Sequence, residues 1–426
     1  MRIGEDNAPV QRVSGHHSAV HDAEHAQRQG PRIALFGLFG CGNFGNDGSL
    51  EAMLSFLRRE RPSARLVCIC ADPRYITRTQ RLATLPISLP FPGSDQRWRR
   101  LLFRGLGKIV DPFLSLWHIR KFDVLIVPGT GILDDFGERP YGMPWDTFRW
   151  CLCARLMGVK VAFVSIGAGP IKSKVSRHLM LASARLANYL SFRDDLSRDF
   201  MEGIGLRRAD ATVFPDLAFS LPSPKKSSTT TAVNRRLVVG VGVMNYFGWY
   251  GFRPEGKKIY DLYVSKLTKF ISHLVASGHK VHILTGETTD CHAVDDILGR
   301  VGEANGHDAL SQVTGGSVVS LTDLMTQIDD TDVVVATRYH NVVCALKLGK
   351  PTISLAYSKK NDVLMIEMGQ GAFCHNVEAF EVNELIRQFD SLALTITESG
   401  RSVREKVGKA EERLQHQEAA LRSAVL

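Results

Sequence analysis

The chain alternates short β-rich runs with amphipathic stretches of helical length, and it does so in two successive halves. This alternation is typical of open, mostly parallel sheets covered by helices. The strands predicted in the first half are Arg32–Gly37, Arg65–Cys70, Val124–Val127, Lys160–Ile166, Tyr189–Phe192 and Ala211–Val213. The strands predicted in the second half are Leu237–Val243, His279–Leu284, Val333–Ala336 and Thr352–Leu355. A length of 426 residues suits two such α/β domains.

A segment rich in proline, serine and threonine separates the two halves, and such a composition cannot bury apolar surface. We predict an N-terminal α/β domain over residues 31–221, a linker over 222–235, a C-terminal α/β domain over 236–384 and a helical segment over 385–426. Residues 1–30 are polar and rich in histidine, which predicts a disordered tail. Two α/β halves imply a ligand-binding cleft between them.

Cysteine spacing and hydropathy indicate the compartment. The eight cysteines form no CxxC pair, so neither a zinc site nor a disulfide framework is expected, as fits a reducing compartment. No apolar run approaches the ~20 residues that span a bilayer. The N-terminus lacks the apolar region of a secretory signal. We therefore expect a cytoplasmic protein without a metal site.

The charge balance indicates the kind of partner. A net charge of +9 suits a phosphate ester, an acidic glycan or an anionic membrane surface. A nucleic-acid-binding module would show a recognisable motif with interleaved aromatics. The sequence shows none, so no nucleic acid partner is expected. The stretch Gln96–Arg120 mixes cations with aromatic and aliphatic residues. It either makes peripheral contact with the inner face of a membrane or forms the solvated face of a helix, and both interpretations stay open.

A glycine-rich loop follows the first predicted strand, with the sequence Gly40-Cys-Gly42-Asn43-Phe-Gly45-Asn46-Asp47. It contains G-x-G-x-x-G, and Asp72 ends the second strand, as in a dinucleotide-binding fold. However, Asp72 comes later than the ~20 residues expected. The loop also carries two amides and a carboxylate, and a carboxylate would repel a pyrophosphate. No GK[ST] follows, so the loop is not a P-loop. We expect no nucleotide cofactor here.

The same loop can serve a sugar ligand. Its glycines allow the backbone to approach a ligand closely. Asn43 and Asp47 offer an amide and a carboxylate at the carboxyl end of the first strand. The alternative is that Asn46 or Asp47 caps the following helix, and this role can coexist with ligand binding.

Cationic and titratable residues gather after two strands of the second half. Arg338, Tyr339 and His340 follow one strand, and Tyr357 and Lys360 follow the next. Arginine binds carboxylates or phosphates through two parallel hydrogen bonds, and lysine adds a point charge. Histidine exchanges protons near neutral pH. These residues therefore predict an anion-binding site with an acid/base group.

This stretch closely resembles the C-terminal signature of the polysaccharide pyruvyltransferase family, an R-hydrophobic-H strand exit followed by G-x-P and Y-x-x-K. Five further motifs of that family match in order. They are the loop Gly40–Asp47, with one residue inserted; Val127-Pro-Gly129-Thr130-Gly131-Ile-Leu-Asp134, with Thr130 in place of a glycine; Ile166-Gly-Ala-Gly-Pro170; Phe192-Arg193-Asp194-Asp195-Leu-Ser197; and Phe214-Pro215-Asp216.

The resemblance implies two Rossmann-like domains in a GT-B-like arrangement, with the donor site on the C-terminal domain and the acceptor site on the N-terminal domain. It implies transfer of a pyruvyl group from phosphoenolpyruvate to a hydroxyl pair of a glycan, without a cofactor. The glycan would belong to an exopolysaccharide or a cell-surface polymer, and a lipid-linked acceptor stays open.

The resemblance also implies roles for single residues. His340 would be the acid/base, Arg338 and Lys360 would hold the donor, and Arg193 would be a second anion clamp. The remaining matched residues are Tyr339 on the donor side and Gly42, Asn43, Asp47, Gly129, Gly131 and Asp134 on the acceptor side, with Asp47 in a catalytic role. Several of these residues have a structural alternative, namely an ion pair for the arginines, core packing for His340 and a helix cap for Asp134, and Asp216 of the last matched motif is equally a turn carboxylate.

Two other functions remain open at this point. A GT-B glycosyltransferase would need a nucleotide pocket in the second domain, where the sequence shows no acidic pair for a ribose. A non-catalytic glycan-assembly protein would tend to have lost the charged cluster, which is intact here.

Overall fold

The computed structural model describes residues 30–89, 97–135, 138–224, 236–248, 254–316 and 318–426. The predicted tail, apart from residue 30, and residues 225–235 of the predicted linker lie outside the described residues.

The N-terminal domain is built on a parallel sheet of seven strands in the order β3-β2-β1-β4-β5-β6-β7. The strands are β1 (Arg32–Phe36), β2 (Arg65–Cys70), β3 (Ala83–Pro86), β4 (Val124–Pro128), β5 (Lys160–Ile166), β6 (Tyr189–Phe192) and β7 (Thr212–Val213). All five residues of β4 are buried, as expected for a strand covered on both faces.

Helices cover both faces of this sheet. They are α1 (Phe44–Glu60), α2 (Pro73–Gln80), α3 (Arg97–Ile119), α4 (Met143–Leu156), α5 (Lys174–Leu186) and α6 (Asp195–Gly203). Successive residues of β1 point to opposite faces. Ile33 and Leu35 join the hydrophobic cluster that contains α1, while Ala34 and Phe36 join the cluster that contains Trp150 of α4.

The C-terminal domain repeats the plan with six parallel strands in the order β10-β9-β8-β11-β12-β13. The strands are β8 (Val238–Gly242), β9 (Lys280–Leu284), β10 (Val313–Gly315), β11 (Val333–Ala336), β12 (Thr352–Ala356) and β13 (Cys374–Asn376). The helices are α7 (Pro254–Ala276), α8 (Cys291–Asn305), α9 (His307–Leu310), α10 (Leu321–Asp329), α11 (Tyr339–Lys347), α12 (Lys359–Glu367), α13 (Val382–Leu394) and α14 (Ile396–Val425).

The predicted α/β class with two domains is confirmed, and all ten predicted strands are present with ends within one residue. The sequence did not predict β3, β10 and β13. Each is an outer strand of three or four residues, which is too short to show a periodic pattern.

The second core extends past residue 384, where the sequence placed its end. That residue lies inside α13, whose Leu385, Phe389 and Leu392 are buried in the core of the C-terminal domain. The end of the domain was misplaced because a helix that packs on this core follows the last strand without a break in composition.

The last helix, α14, returns to the N-terminal domain. Gln417 is buried, and its amide donates to Ser165 Oγ at 2.8 Å and to Ser191 Oγ at 2.9 Å. Ser165 has a φ of 52°, an uncommon conformation for a residue with a side chain. The C-terminal helix therefore completes the polar core of the first domain as well as following the second.

Candidate active site at the domain interface

A cavity of about 270 Å³ lies between the two domains. Its wall in the N-terminal domain includes Leu38, Cys41, Asn43, Asn46, Thr130, Gly131, Ile132, Asp134, Glu138, Met143 and Arg193. Its wall in the C-terminal domain includes Glu287, Tyr339, His340, Tyr357, Ser358, Lys360 and Asn361. The loops at 40–47, 129–134 and 338–340, which carry three of the matched motifs, all contribute to this wall.

Topology explains why these loops meet. In the first sheet the strand order reverses between β1 and β4, and in the second sheet it reverses between β8 and β11. The connections from neighbouring strands leave in opposite directions at such a point, which opens a crevice at the carboxyl ends of the strands. The cavity lies where the two crevices face each other.

Asn43 caps the N-terminus of helix α1. Its side-chain oxygen accepts from the backbone N–H of Asn46 at 3.2 Å, so Asn43, and neither Asn46 nor Asp47, is the N-cap. Asn43 also forms an isolated antiparallel bridge with Glu287 of the other domain. The cap therefore holds the start of α1 at the interface.

The glycines of this loop permit close approach between the domains. A Cβ on Gly42 would lie 2.5 Å from Thr288 Oγ1, and a Cβ on Gly45 would lie 1.9 Å from His340 Nδ1. Gly42 also has a φ of 84°, which favours glycine. Gly45 is the third glycine of the G-x-G-x-x-G pattern, and it faces an imidazole of the same chain. The loop thus packs against the C-terminal domain.

Arg193 lies between a backbone and an aromatic ring. Its guanidinium carbon is 4.3 Å from the centroid of the Tyr339 ring. On another side, a Cβ on Gly167 would lie 2.8 Å from Arg193 Nε. Arg193 also pairs with Asp216 at 3.2 Å and with Asp194 at 3.6 Å. Burial alone would lower the pKa of Arg193, but Tyr339 and the two carboxylates outweigh it and raise that pKa. The guanidinium is fixed and charged.

His340 lies at the start of α11 and is partly buried, with its side chain 16% exposed. Its Nε2 lies 3.7 Å from Asp216 Oδ2 and has no hydrogen-bond partner within the described part of the chain. Burial lowers the pKa of His340 to about 4; Asp216 opposes the shift, while Arg193 and Arg338 add to it. The imidazole is therefore neutral at pH 7, and it has an unused nitrogen.

Lys360 lies in the first turn of α12, which Ser358 caps. Its ammonium is 3.1 Å from Asp134 Oδ2, so the pair joins the two domains across the cavity. Burial lowers the pKa of Lys360, and Asp134 partly offsets this effect.

Arg338 lies differently from the sequence prediction. Its Nη1 is 2.6 Å from Glu287 Oε2, and its Nη2 and Nε donate to Asp290 at 2.6 and 3.1 Å. Burial alone would lower the pKa of Arg338, but these carboxylates raise it. Both carboxylates pair with the guanidinium of Arg338, and Arg338 does not line the cavity. We therefore revise Arg338 from a donor clamp to a residue that positions the start of α11.

Three further predicted residues lie behind the wall. Gly42 and Gly129 shape the backbone of the interface, and Gly129 O accepts from the hydroxyl of Ser49. Asp47 is buried, and its Oδ1 accepts from the N–H of Gly40 at 2.8 Å. Burial raises the pKa of Asp47 to about 6, and the Gly40 N–H partly opposes this. This placement favours a structural role for Asp47 over the catalytic one.

Two carboxylates that matter here were not among the predicted site residues. Glu287 lies in the loop after β9, and nothing in its surrounding sequence distinguishes it. Asp216 was recognised within a matched motif but had the alternative of a turn carboxylate. It caps the short helix Leu217–Ser220 and also contacts Arg193 and His340. Its position after β7, at the carboxyl edge of the sheet, was the available signal.

The charges suit a small anion bound with help from backbone dipoles. Helices α1, α11 and α12 all begin at the cavity, and a helix N-terminus attracts anions. Helix α11 has no side-chain cap among the described residues. Arg193 and Lys360 add two cations, while Asp134, Glu138 and Glu287 add three carboxylates. The carboxylates therefore outnumber the cations. A multiply charged anion can bind here if Lys360 exchanges Asp134 for the ligand, or if the site takes up a proton.

Comparisons with known proteins bear on the family and the fold. A family model described as polysaccharide pyruvyl transferase matches residues 43–359, which include every site residue predicted from the sequence except Gly42 and Lys360. No curated protein sequence gives a significant match.

Solved structures share the fold at low sequence identity. UDP-GlcNAc 2-epimerase from Methanocaldococcus jannaschii is 12% identical, with a TM-score of 0.53 over 84% of this chain and 91% of that one. UDP-GlcNAc 2-epimerase from Neisseria meningitidis is 12% identical, with a TM-score of 0.53 over 91% and 98%. A glycosyltransferase from Rickettsia africae is 7% identical, with a TM-score of 0.55 over 92% and 98%. These likenesses confirm the GT-B-like arrangement.

Proposed function

The chain belongs to the polysaccharide pyruvyl transferase family and is a transferase, and from this premise we propose that it moves a pyruvyl group from phosphoenolpyruvate to two hydroxyls of one sugar. The product is a pyruvate ketal on an exopolysaccharide or cell-surface glycan precursor. The observation that carries this proposal is the neutral, partly buried His340 beside two cations and three helix N-termini in one interdomain cavity.

Arg193 and Lys360 are the proposed anion-binding residues. Both line the cavity, and Arg193 is held rigidly by Tyr339 and by the backbone at Gly167. A fixed guanidinium suits the carboxylate of the donor because it offers two parallel donors. Lys360, at the start of α12, suits the phosphate, with the N-terminus of that helix adding partial positive charge.

The reaction requires proton movement but no metal or redox step. The methylene carbon of phosphoenolpyruvate gains a proton and becomes a methyl group. One sugar hydroxyl adds to C2, phosphate leaves with the C2–O bond electrons, and the second hydroxyl closes the ketal. Two hydroxyl protons are released, of which one balances the new methyl C–H bond and the other balances the phosphate.

His340 is the proposed group that carries the first proton. Binding of the anionic donor favours uptake of a proton by the imidazole, and Asp216, 3.7 Å away, stabilises the imidazolium, as a carboxylate does for a catalytic histidine. The imidazolium delivers this proton to the methylene carbon, which makes C2 electrophilic. The neutral imidazole then accepts the proton of the attacking hydroxyl.

The acceptor is proposed to bind against the N-terminal domain. Asn43, Gly131 and Asp134 line that side of the cavity and offer an amide, a backbone edge and a carboxylate to sugar hydroxyls. The donor phosphate takes the place of Asp134 on Lys360. We also propose a cytoplasmic location, with a lipid-linked glycan at the inner face of the membrane as the acceptor.

Radiolabelled phosphoenolpyruvate and extracted lipid-linked oligosaccharides test this function. We expect label in the lipid-linked fraction, one phosphate released per label transferred, and no transfer by the His340→Gln protein. Transfer from labelled UDP-sugars, with none from phosphoenolpyruvate, would replace the proposal with the nucleotide-sugar alternative. Binding of glycan without turnover of either donor would instead indicate an assembly protein.

A further inference from the structure

Helix α3 carries a row of apolar side chains on its outer face. Ile109, Phe113 and Trp117 are spaced four residues apart, so they form one row along the helix. They are 65, 70 and 53% exposed. The opposite face carries Asp111 and Ser115, which are buried. Ile119 of the same helix is also buried in the core, so α3 carries apolar side chains both inward and outward, whereas the usual surface helix turns a single apolar stripe inward.

Polar contacts fix this orientation. Asp111 Oδ1 accepts from the backbone N–H of Leu89 at 3.0 Å. Arg149 of α4 donates to the backbone carbonyl of Asp111 at 2.9 Å and also contacts Ser115. Turning the apolar row inward would break these contacts and expose the partners of a buried arginine. The outward row is therefore a property of the folded domain.

Cations surround the row. The guanidinium carbon of Arg120 lies 3.8 Å from the centroid of the Trp117 ring, and the ammonium of Lys121 lies 5.5 Å from the same centroid. Lys108 is exposed at the other end of the row. Residues 97–121 contain seven lysines and arginines and a single acidic residue, Asp111, which is buried. An apolar row inside a basic surface is complementary to a bilayer that contains anionic lipids.

We propose that the outer face of α3, formed by Ile109, Phe113, Trp117, Lys108, Arg120 and Lys121, docks on an anionic phospholipid surface. The three apolar side chains enter the interfacial region, where tryptophan is favoured. The cations contact the headgroups. This face includes none of the proposed catalytic or donor-binding residues, so docking can hold or fail independently of the proposed function.

The docking face adjoins one wall of the cavity. Lys108 Nζ donates to the backbone carbonyl of Tyr141, whose own side chain is exposed. Two residues further, Met143 lines the cavity, as does Glu138 on the other side. A bilayer on this face would therefore lie next to the side of the cavity that belongs to the N-terminal domain.

Within the described residues, no helix has the length and apolar character to span a bilayer.

Flotation with lipid vesicles tests the proposal on the full chain. Phosphatidylcholine vesicles are compared with vesicles that also contain phosphatidylglycerol, for the wild type and for the double variant Phe113→Ser, Trp117→Ser. Leu394→Ser is the matched control, because Leu394 is also exposed but lies on α13. We expect the wild type and the control to float with anionic vesicles. The double variant should bind these vesicles about tenfold more weakly, since affinity scales with buried apolar area.

A charge variant and a test for dimerisation decide whether lipid or protein covers this face. Arg120→Gln with Lys121→Gln should lower flotation and reduce its salt dependence. Circular dichroism melting of each variant checks that it folds. A wild type that stays unbound to both vesicle types overturns the proposal, as does a double variant that floats equally well. Concentration-dependent dimerisation that the double variant abolishes, without vesicle binding, would assign the face to a second copy of the chain.

Discussion

The His340 imidazole occupies the space that a side chain at position 45 would need, since a Cβ on Gly45 would lie 1.9 Å from His340 Nδ1. Gly45 belongs to the first turn of α1 in one domain, and His340 belongs to the first turn of α11 in the other. The conformation of the proposed catalytic residue is therefore set by a glycine more than 290 residues away in sequence.

Gly45→Ala should displace His340. We expect a loss of stability of about 1–3 kcal/mol from overpacking and a loss of turnover larger than the folded fraction explains. Gly299→Ala is the control, because Gly299 is also helical and a Cβ there meets nothing within 4 Å. Urea denaturation and initial rates measure the two effects. A Gly45→Ala enzyme with normal turnover would show that His340 tolerates displacement.

His340→Gln separates chemistry from donor binding. Glutamine keeps hydrogen bonding but cannot relay a proton, so turnover should fall by ~10²-fold or more, while phosphoenolpyruvate affinity by calorimetry changes little. Stability should also respond to pH. Since the pKa of His340 falls from 6.5 unfolded to about 4 folded, its contribution is present above pH 6.5 and is lost as the pH falls through 4.

That loss amounts to up to about 3 kcal/mol. The glutamine variant lacks it, so the difference in unfolding free energy between wild type and variant should shrink as the pH falls from 7 to 4. A difference independent of pH would mean that His340 is not buried in its neutral form.

Lys360→Met should weaken donor binding. The ammonium is buried at the cavity, and methionine keeps much of its length without the charge. We expect an increase of about tenfold or more in the KM for phosphoenolpyruvate, because a charged contact to a phosphate is lost. Lys359→Met is the matched control, since Lys359 is the adjacent residue and is exposed. Equal effects of the two variants would indicate general electrostatic attraction instead of a specific contact.

Arg338→Lys tests the revised role of Arg338. Lysine keeps the charge but cannot bind Asp290 in two-pronged fashion while also reaching Glu287. The expected result is a lower urea midpoint with donor affinity retained in the folded protein. Donor affinity that falls without any loss of stability would restore Arg338 as a donor clamp.

Asp47→Asn tests whether that carboxylate is catalytic. Asparagine keeps an oxygen for the Gly40 N–H, so we expect turnover within a few-fold of the wild type. The pKa of Asp47 rises from 3.8 to about 6 on folding. Its contribution to stability is thus present below pH 3.8 and is lost as the pH rises through 6. The unfolding free energy of the variant should therefore rise relative to that of the wild type between pH 4 and 7. A large loss of turnover in the variant would instead return Asp47 to the mechanism.

The sequence was sufficient to bring the right loops together. Alternating strands and helices imply parallel sheets, and parallel strands deliver their carboxyl ends to one edge. That reasoning, with the matched motifs, placed Asn43, Asp134, Arg193, His340 and Lys360 at one cavity, where the structure finds them.

The residues that pair with the charged side chains could not be predicted in the same way. Asp290 lies 48 residues before Arg338 in a loop without a motif, and whether an arginine meets a carboxylate or an open cavity depends on how that loop turns. Asp47 and Asn43 are both polar residues near a helix start, and only the backbone conformation decides which is the cap. Side-chain direction at a loop is a tertiary property that periodicity does not encode.

The return of α14 to the first domain affects the order in which the molecule can be completed. Domains generally fold in order during synthesis, yet the side-chain amide that joins the hydroxyls of Ser165 and Ser191 belongs to Gln417. The N-terminal domain, although translated first, thus lacks this buried amide until Gln417 has left the ribosome. A chain shortened before Gln417 should accordingly expose its N-terminal half to proteases, even though the missing residues follow the other half.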